Sequence, residues 1–171
     1  MKEISKRTFI EDYWYSDLFA KTKDNVNVRK CVIECLNSAS EATNSSFTKS
    51  GVNIKKDVYT EDYDTKLENT QFLVMFVDSE PVGCAEIYKD HPVLHIKTFA
   101  ILEKYRNRGY AITFLKNTIK HFREVLHYKE FRIQVASHNE AAINLYKYIG
   151  FEPFNMMMTY RIGENCNERI Y

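Results

Sequence analysis

Cysteine is scarce in this chain, and the few present are spaced wrongly for a metal knuckle. The four are Cys31, Cys35, Cys84 and Cys166, and only Cys31 and Cys35 lie close together, four apart in a stretch with helical spacing. Without a second close pair or nearby histidines, neither a zinc site nor a disulfide framework is expected, and the thiols read as reduced and partly buried. Charge of one sign is missing as well. With 24 basic and 23 acidic side chains the formal net charge is +1, so no global field marks a nucleic-acid or membrane-surface binder, and neither partner is expected. Nowhere do roughly 18 consecutive apolar residues occur, and the start Met1-Lys2-Glu3-Ile4-Ser5-Lys6-Arg7 has no signal-like apolar run behind it, so a cytoplasmic location is the expectation. Glycine is rare too, with only five in the chain. No internal repeat is present, and no low-complexity linker beyond one serine-rich stretch.

A length of 171 residues with 44% hydrophobic content fits a single domain, residues 1–171, with a sizeable core. Residues 1–70 are the less legible part. A first strand is expected around Arg7 to Ile10, beside an aromatic cluster of Tyr13, Trp14, Tyr15 and Phe19, where a homodimer contact would be sought. Val28, Val32, Cys35 and Leu36 share one helical face, which predicts a helix from Val28 to about Leu36. The polar run from Asn37 to Ser46 then reads as a mobile loop over about 37–50. A short helix starting at Thr60 follows, with acidic residues in its first turn.

From Gln71 the pattern changes to strands. Phe72 to Val77 and Val82 to Tyr88 form a hairpin through Asp78-Ser79-Glu80-Pro81, with Pro81 assigned to the turn. A second turn through Lys89 to Pro92 leads to a strand from Val93 to Leu102. Ile112, Leu115, Ile119, Phe122 and Leu126 then paint one apolar helical stripe. Phe131 to Val135 alternates as a strand, Glu140 to Ile149 is a short helix stopped by Gly150, and Phe154 to Ile162 reads as a last strand. The fold class is mixed α/β (α+β), and the strand-helix-strand step across about 94–136 should be a right-handed parallel crossover.

The most informative run is Arg106-Asn107-Arg108-Gly109-Tyr110-Ala111, set between an apolar strand and a helix. A glycine there lets consecutive N–H groups converge on one anion at the positive end of the helix, and two arginines add charge. The spacing is neither a nucleotide-hydrolase loop nor a dinucleotide fingerprint. A second segment, from Asn139 through Ala142, Tyr146 and Gly150 to Phe151, lies downstream of an intervening strand. Arg-x-x-Gly-x-Ala followed by Asn-x-x-Ala-x-x-x-Tyr-x-x-x-Gly-Phe resembles the acyl-CoA-binding core of GNAT-type N-acetyltransferases over about residues 71–162. The last glycine of the usual phosphate motif is Ala111 here, a variation the pattern admits.

The resemblance implies a mostly antiparallel central sheet with a splayed parallel strand pair that admits the pantetheine arm, and helices on both faces. It implies acetyl-CoA as cosubstrate, no metal, and a small-molecule or peptide amine as acceptor, with residues 1–70 shaping the acceptor side. The pyrophosphate would meet the turn Arg106, Asn107, Arg108, Gly109, Tyr110 and Ala111. The backbone of Phe99, Ala100 and Ile101 would pair with pantetheine, with the Ile101 N–H a candidate oxyanion donor. Asn139 would cap the short helix near the pantetheine amides. Tyr146 is the candidate general acid, since a phenol with pKa near 10 is protonated at neutral pH.

For the general base, the first candidate is Glu86 on the strand Val82 to Tyr88, which shares a mostly apolar face with Val82, Cys84 and Tyr88 and would serve if it faces the cleft. His95 on the next strand is the second candidate. Tyr59, Glu61, Asp62 and Tyr63 could line a pocket for a cationic amine. A non-catalytic acyl-CoA-binding or regulatory module is the competing reading, and Tyr146 is what argues for an enzyme.

Overall fold

The computed structural model describes residues 7–14, 26–49 and 71–155. The expected helix at Thr60, the acceptor candidates Tyr59 to Tyr63, and Tyr15, Phe19 and Cys166 lie outside them. Five strands form one sheet in the order β1-β2-β3-β4-β5. They are β1 (Thr8–Trp14), β2 (Gln71–Val77), β3 (Glu80–Asp90), β4 (Val93–Ile101) and β5 (Glu130–Ile133). Three helices complete the described chain: α1 (Val26–Lys49), α2 (Tyr110–Glu124) and α3 (Glu140–Ile149). The first four strands pair antiparallel in sequence, and β5 runs parallel to β4.

β2 shows why the sheet carries helices on both faces, because all seven of its residues are buried. Leu73, Met75 and Val77 join Ala85, Ile87, Leu94, Ile96 and Ile101 beneath Phe114, Leu115 and Phe122 of α2 and Tyr146 of α3. The alternate residues Phe72, Val74 and Phe76 meet Val28, Cys31, Val32, Cys35 and Leu36 of α1, with Cys84 and Leu102. A strand buried on both faces reads as a continuous apolar run, as Phe72 to Val77 does.

Several expectations are corrected. The helix expected to end near Leu36 continues to Lys49, so the polar run after Asn37 is helical and no loop. No glycine or proline interrupts it, serine and asparagine cost a helix only about 0.5 kcal/mol each, and contacts made by Ser38 and Ala42 hold it in place. The first strand extends to Trp14. Asp78 and Ser79 alone make the hairpin turn, at φ 50° and 70°, as a two-residue turn with two left-handed positions requires. Pro81 therefore lies inside β3, opposite Phe76 and beside a register shift, a place where a strand tolerates proline. That shift also carries Val82 into the cluster under α2, away from Cys84 on the α1 face.

α2 buries Phe114, Leu115, Thr118 and Phe122. Its buried stripe is rotated from the expected one, leaving Ile112 and Ile119 half-buried and Leu126 exposed beyond the helix end. Phe154 and Asn155 carry no strand, and the rest of the expected last strand lies outside the described residues. Among the described residues no helix is long and apolar enough to cross a membrane.

Candidate active site

The feature that makes a site is the unequal length of β4 and β5. Their ladder runs only from Val93↔Glu130 to Ile96↔Ile133, closed by the Gln134 N–H on the Ile96 carbonyl at 3.2 Å. β4 continues to Ile101 with no neighbour on that side among the described residues. The sheet opens there, as the resemblance implied.

The direction of the peptide groups along this open stretch follows from two bonds. Leu102 N–H donates to the Val82 carbonyl at 2.9 Å, so Leu102 faces β3. By the alternation of an antiparallel ladder the peptide groups of Ile101 point the other way, into the opening. The Ile101 carbonyl there accepts from Arg106 Nε at 2.9 Å. Phe99, in regular register with Ala85, faces the opening by the same alternation, and Ala100 faces β3. A register shift between Glu86 and Ile87 sets this phase.

β4 feeds a 3-10 turn over Glu103–Tyr105 and then the predicted cradle. Asn107 and Gly109 adopt left-handed conformations, φ 59° and 81°. Gly109 stands as the N-cap of α2 with no side-chain cap. The first bond back into the turn is Thr113 N–H to the Gly109 carbonyl at 3.1 Å, and among the described residues the amides of Arg108 to Ala111 make none. Unpaired amides at the positive end of a 15-residue helix suit an anion. Arg108 lies over the Tyr105 ring at 6.0 Å. Arg106 is turned inward: besides Ile101 it reaches Ser38 Oγ of α1, with Nη2 at 2.7 Å.

Tyr146 sits at the opening from the α2–α3 face. Its ring meets Phe99 at 6.5 Å and Phe151 at 6.0 Å, and Phe99 packs edge-on against Phe114 at 5.4 Å. Tyr146 is 7% exposed, and its hydroxyl makes no hydrogen bond among the described residues. Burial pushes its phenol up to about 12, so it is a proton-bearing group at neutral pH. Gly150, at φ 114°, ends α3, and the Phe151 N–H caps the Tyr146 carbonyl at 2.9 Å, which fixes the last turn. Asn139 caps the other end, its Oδ1 accepting from Ala142 N–H at 3.2 Å.

Glu86 approaches from the opposite face. It pairs across the strands with Phe72 and Thr98, and Thr98 Oγ1 donates to its carboxylate at 2.9 Å. Thr98 stands just past the last β4–β5 pair, so this carboxylate lies at the start of the opening. His95 lies where β4 is still bonded to β5, opposite Arg132, with its ring tilted on Tyr88 at 5.8 Å and Nε2 4.0 Å from Asp90. The structure thus gathers Phe99, Ile101, the 106–111 turn and Tyr146 at the opening, with Glu86 at its edge and His95 outside it.

Cys31, Cys35 and Cys84 are buried between α1 and the sheet as free thiols. Hydrogen bonds to Cys35 and burial push Cys31 and Cys84 above the usual thiol range, and Cys35 Sγ donates to the Ala100 carbonyl at 3.6 Å. Among the described residues no group of histidine, cysteine and carboxylate side chains is arranged to hold a metal. Sequence reasoning missed Thr98, Ser38 and His138. Their roles rest on partners 12, 68 and 96 positions away, a separation no local spacing reveals.

A sheet parted beside one strand, with outward peptide groups along the gap and free amides at its end, suits an extended anionic ligand seated as an added strand. The chain belongs to the acetyltransferase (GNAT) family, whose model matches residues 36–151. It is 33% identical over 101 residues to an N-alpha-acetyltransferase of Sulfurisphaera tokodaii, a match that takes in 52% of this chain and 60% of that relative. Among solved structures, the ribosomal-protein-alanine N-acetyltransferase of Brucella melitensis biovar Abortus superimposes with a TM-score of 0.60 at 14% identity, covering 91% of this chain and 100% of that one. An aminoglycoside N-acetyltransferase in complex with CoA gives 0.57 at 13% identity, covering 97% and 100%.

Proposed function

We propose that the chain transfers the acetyl group of acetyl-CoA to the α-amino group of a polypeptide N-terminus, by direct attack in a ternary complex. The observation that carries this reading is the outward Ile101 peptide group at the parted edge of β4, with the buried Tyr146 ring meeting Phe99 of the same strand. The amine lone pair forms a bond to the thioester carbonyl carbon. Negative charge gathers on the carbonyl oxygen, within reach of a backbone donor such as the Ile101 N–H. The carbon–sulfur bond then breaks, and Tyr146 gives its proton to the departing thiolate. Glu86, directly or through water, takes the proton the amine loses. The turn from Asn107 to Ala111 holds the diphosphate, and Asn139 places α3 against the pantetheine arm. Residues 1–70 form the acceptor side of one domain whose coenzyme side is about 71–162. A peptide acceptor is supported by the Sulfurisphaera tokodaii relative, the one at 33% identity. Buried free thiols fit a reducing, cytoplasmic setting.

Saturating acetyl-CoA should raise the melting temperature, since about a hundredfold excess over Kd adds about 2.7 kcal/mol. Peptides with free N-termini should turn over, and the same peptides blocked at the N-terminus but carrying lysine should not. Stabilisation without turnover on any peptide, or turnover only on aminoglycosides or polyamines, would replace the acceptor assignment.

Gly109→Ala tests the cradle. A Cβ there would meet nothing within 4 Å, so the cost is the left-handed backbone alone, about 1 kcal/mol. Relief of that strain turns amides away from the anion, and coenzyme A affinity should fall about tenfold by calorimetry, an energy of about 1.4 kcal/mol. An unchanged affinity would remove these amides from the site.

A further inference from the structure

α1 crosses the opening. Its first turns pack on β2 and β3 through Val28, Cys31 and Val32, and Cys35 touches the Ala100 carbonyl of β4. One turn on, Ser38 Oγ holds Arg106 at 2.7 Å, on the β4 side of the gap. A further turn on, the Ala42 carbonyl accepts from His138 Nε2 at 2.8 Å, and His138 belongs to the segment between β5 and Asn139, on the far side. The two lips are therefore joined by four residues of helix, about 6 Å of rise. The same Arg106 also caps the outward Ile101 carbonyl at 2.9 Å, so a strand-like ligand can reach the Ile101 N–H and find its carbonyl already taken.

We propose that Arg106 and His138 are positioning residues that fasten α1 across the opening and fix the position of the Ile101 amide of β4 relative to the Tyr146 hydroxyl of α3, the helix that follows His138. This rests on the reading above, in which those two groups act on one thioester. Neither side chain needs to touch the acetyl group. His138 donates to a carbonyl, which the neutral Nε2–H tautomer and the imidazolium both do, so the fastening does not depend on His138 charge. Because Arg106 is spent on Ser38 and Ile101, anion binding at the turn falls to the backbone amides.

The test uses His138→Ala, His138→Gln and Ser38→Ala in the full chain. Small misplacements of reacting groups can cost up to about a hundredfold in rate. Loss of one fastener is therefore expected to lower kcat about fivefold to tenfold with KM for acetyl-CoA within about twofold. His138→Gln, whose side-chain amide still donates, should recover most of the loss. Hydrogen exchange read on the same variants should show lower protection of α1 beyond Ser38 in His138→Ala and unchanged protection in β2 and β3. The exchange measurement needs no turnover, so it separates failure of the fastening from failure of the transferase assignment. Unchanged exchange in α1, or a variant that alters acetyl-CoA KM and leaves kcat intact, would overturn the proposal.

Discussion

Tyr146→Phe should lower kcat about a hundredfold, within the range general acid catalysis supplies, while KM for acetyl-CoA moves less than about twofold and the melting temperature holds. The ring contacts with Phe99 and Phe151 survive the change, because phenylalanine keeps the ring. The hydroxyl makes no hydrogen bond among the described residues, so its removal leaves no orphaned partner in the fold. What is lost is the proposed proton donor, a hydroxyl on a residue only 7% exposed. The pH dependence follows from the same burial. The phenol is raised to about 12 in the folded chain from an unfolded value of 10.0. Its contribution to stability is thus fully present below the unfolded value, falls as pH rises from that value, and is lost once pH has passed through the folded one. An alkaline limb in the wild-type rate below about pH 10 would belong to another group. Phenylalanine at 146 with an unchanged kcat would assign the leaving-group proton elsewhere.

The coenzyme half of the molecule was legible because its determinants are local. The glycine at 109 must precede a helix whose apolar stripe begins at once, and Asn139 must precede a helix ended by Gly150, so spacing places each element, and the resemblance of the two motifs to the family is what groups the cradle, the cap and Tyr146. Even so, the α2 stripe turned toward Phe114 and Thr118, because the sheet decides which face of a broadly apolar helix is buried. α1 was legible only as far as its apolar positions ran. Beyond Leu36 its helix is held by Arg106 and His138, and no pattern in Asn37 to Ser46 announces partners so far along the chain. Glu86 was identified as a strand carboxylate, yet its partner Thr98 depends on a register shift in the β3–β4 ladder. A strict alternation drawn from the sequence has no means of placing that shift.

The two proton-transfer candidates also fall on opposite faces of the sheet, which bears on how transfer is organised. Tyr146 belongs to the α2–α3 face, with Phe99 and Ile101, and Glu86 to the α1 face, with Phe72 and Thr98. A closed ladder would separate them completely. On the proposed reading, an acyl group at the parted edge beyond Ile96 would reach both, so that one side would meet the leaving sulfur and the other the incoming amine. The α1 bridge would then lie on the amine side, in the half of the chain least constrained by the family motifs.

Gly83→Ala should be the most damaging of the small substitutions for the fold and for the site together. A Cβ built on Gly83 would stand 2.5 Å from Ile101 Cδ1 and 2.7 Å from the Ala100 carbonyl oxygen. The isoleucine methyl can rotate away. The carbonyl is backbone, and moving it shifts β4 at the segment whose peptide groups face the opening. Overpacking of this kind costs about 2–3 kcal/mol, or roughly 5–10 °C in melting temperature for a chain of this size. Gly109→Ala, by contrast, adds a methyl to open space and should cost the fold less. Because Gly83 is paired with Ile101 itself, the displaced strand carries the candidate oxyanion donor with it. At a temperature where the variant is fully folded, kcat should still fall about tenfold or more, the scale expected when a reacting geometry is disturbed by a fraction of an ångström to an ångström. A folded Gly83→Ala protein that keeps both its melting temperature and its kcat would mean that the close approach of β3 and β4 does not set the position of the Ile101 amide.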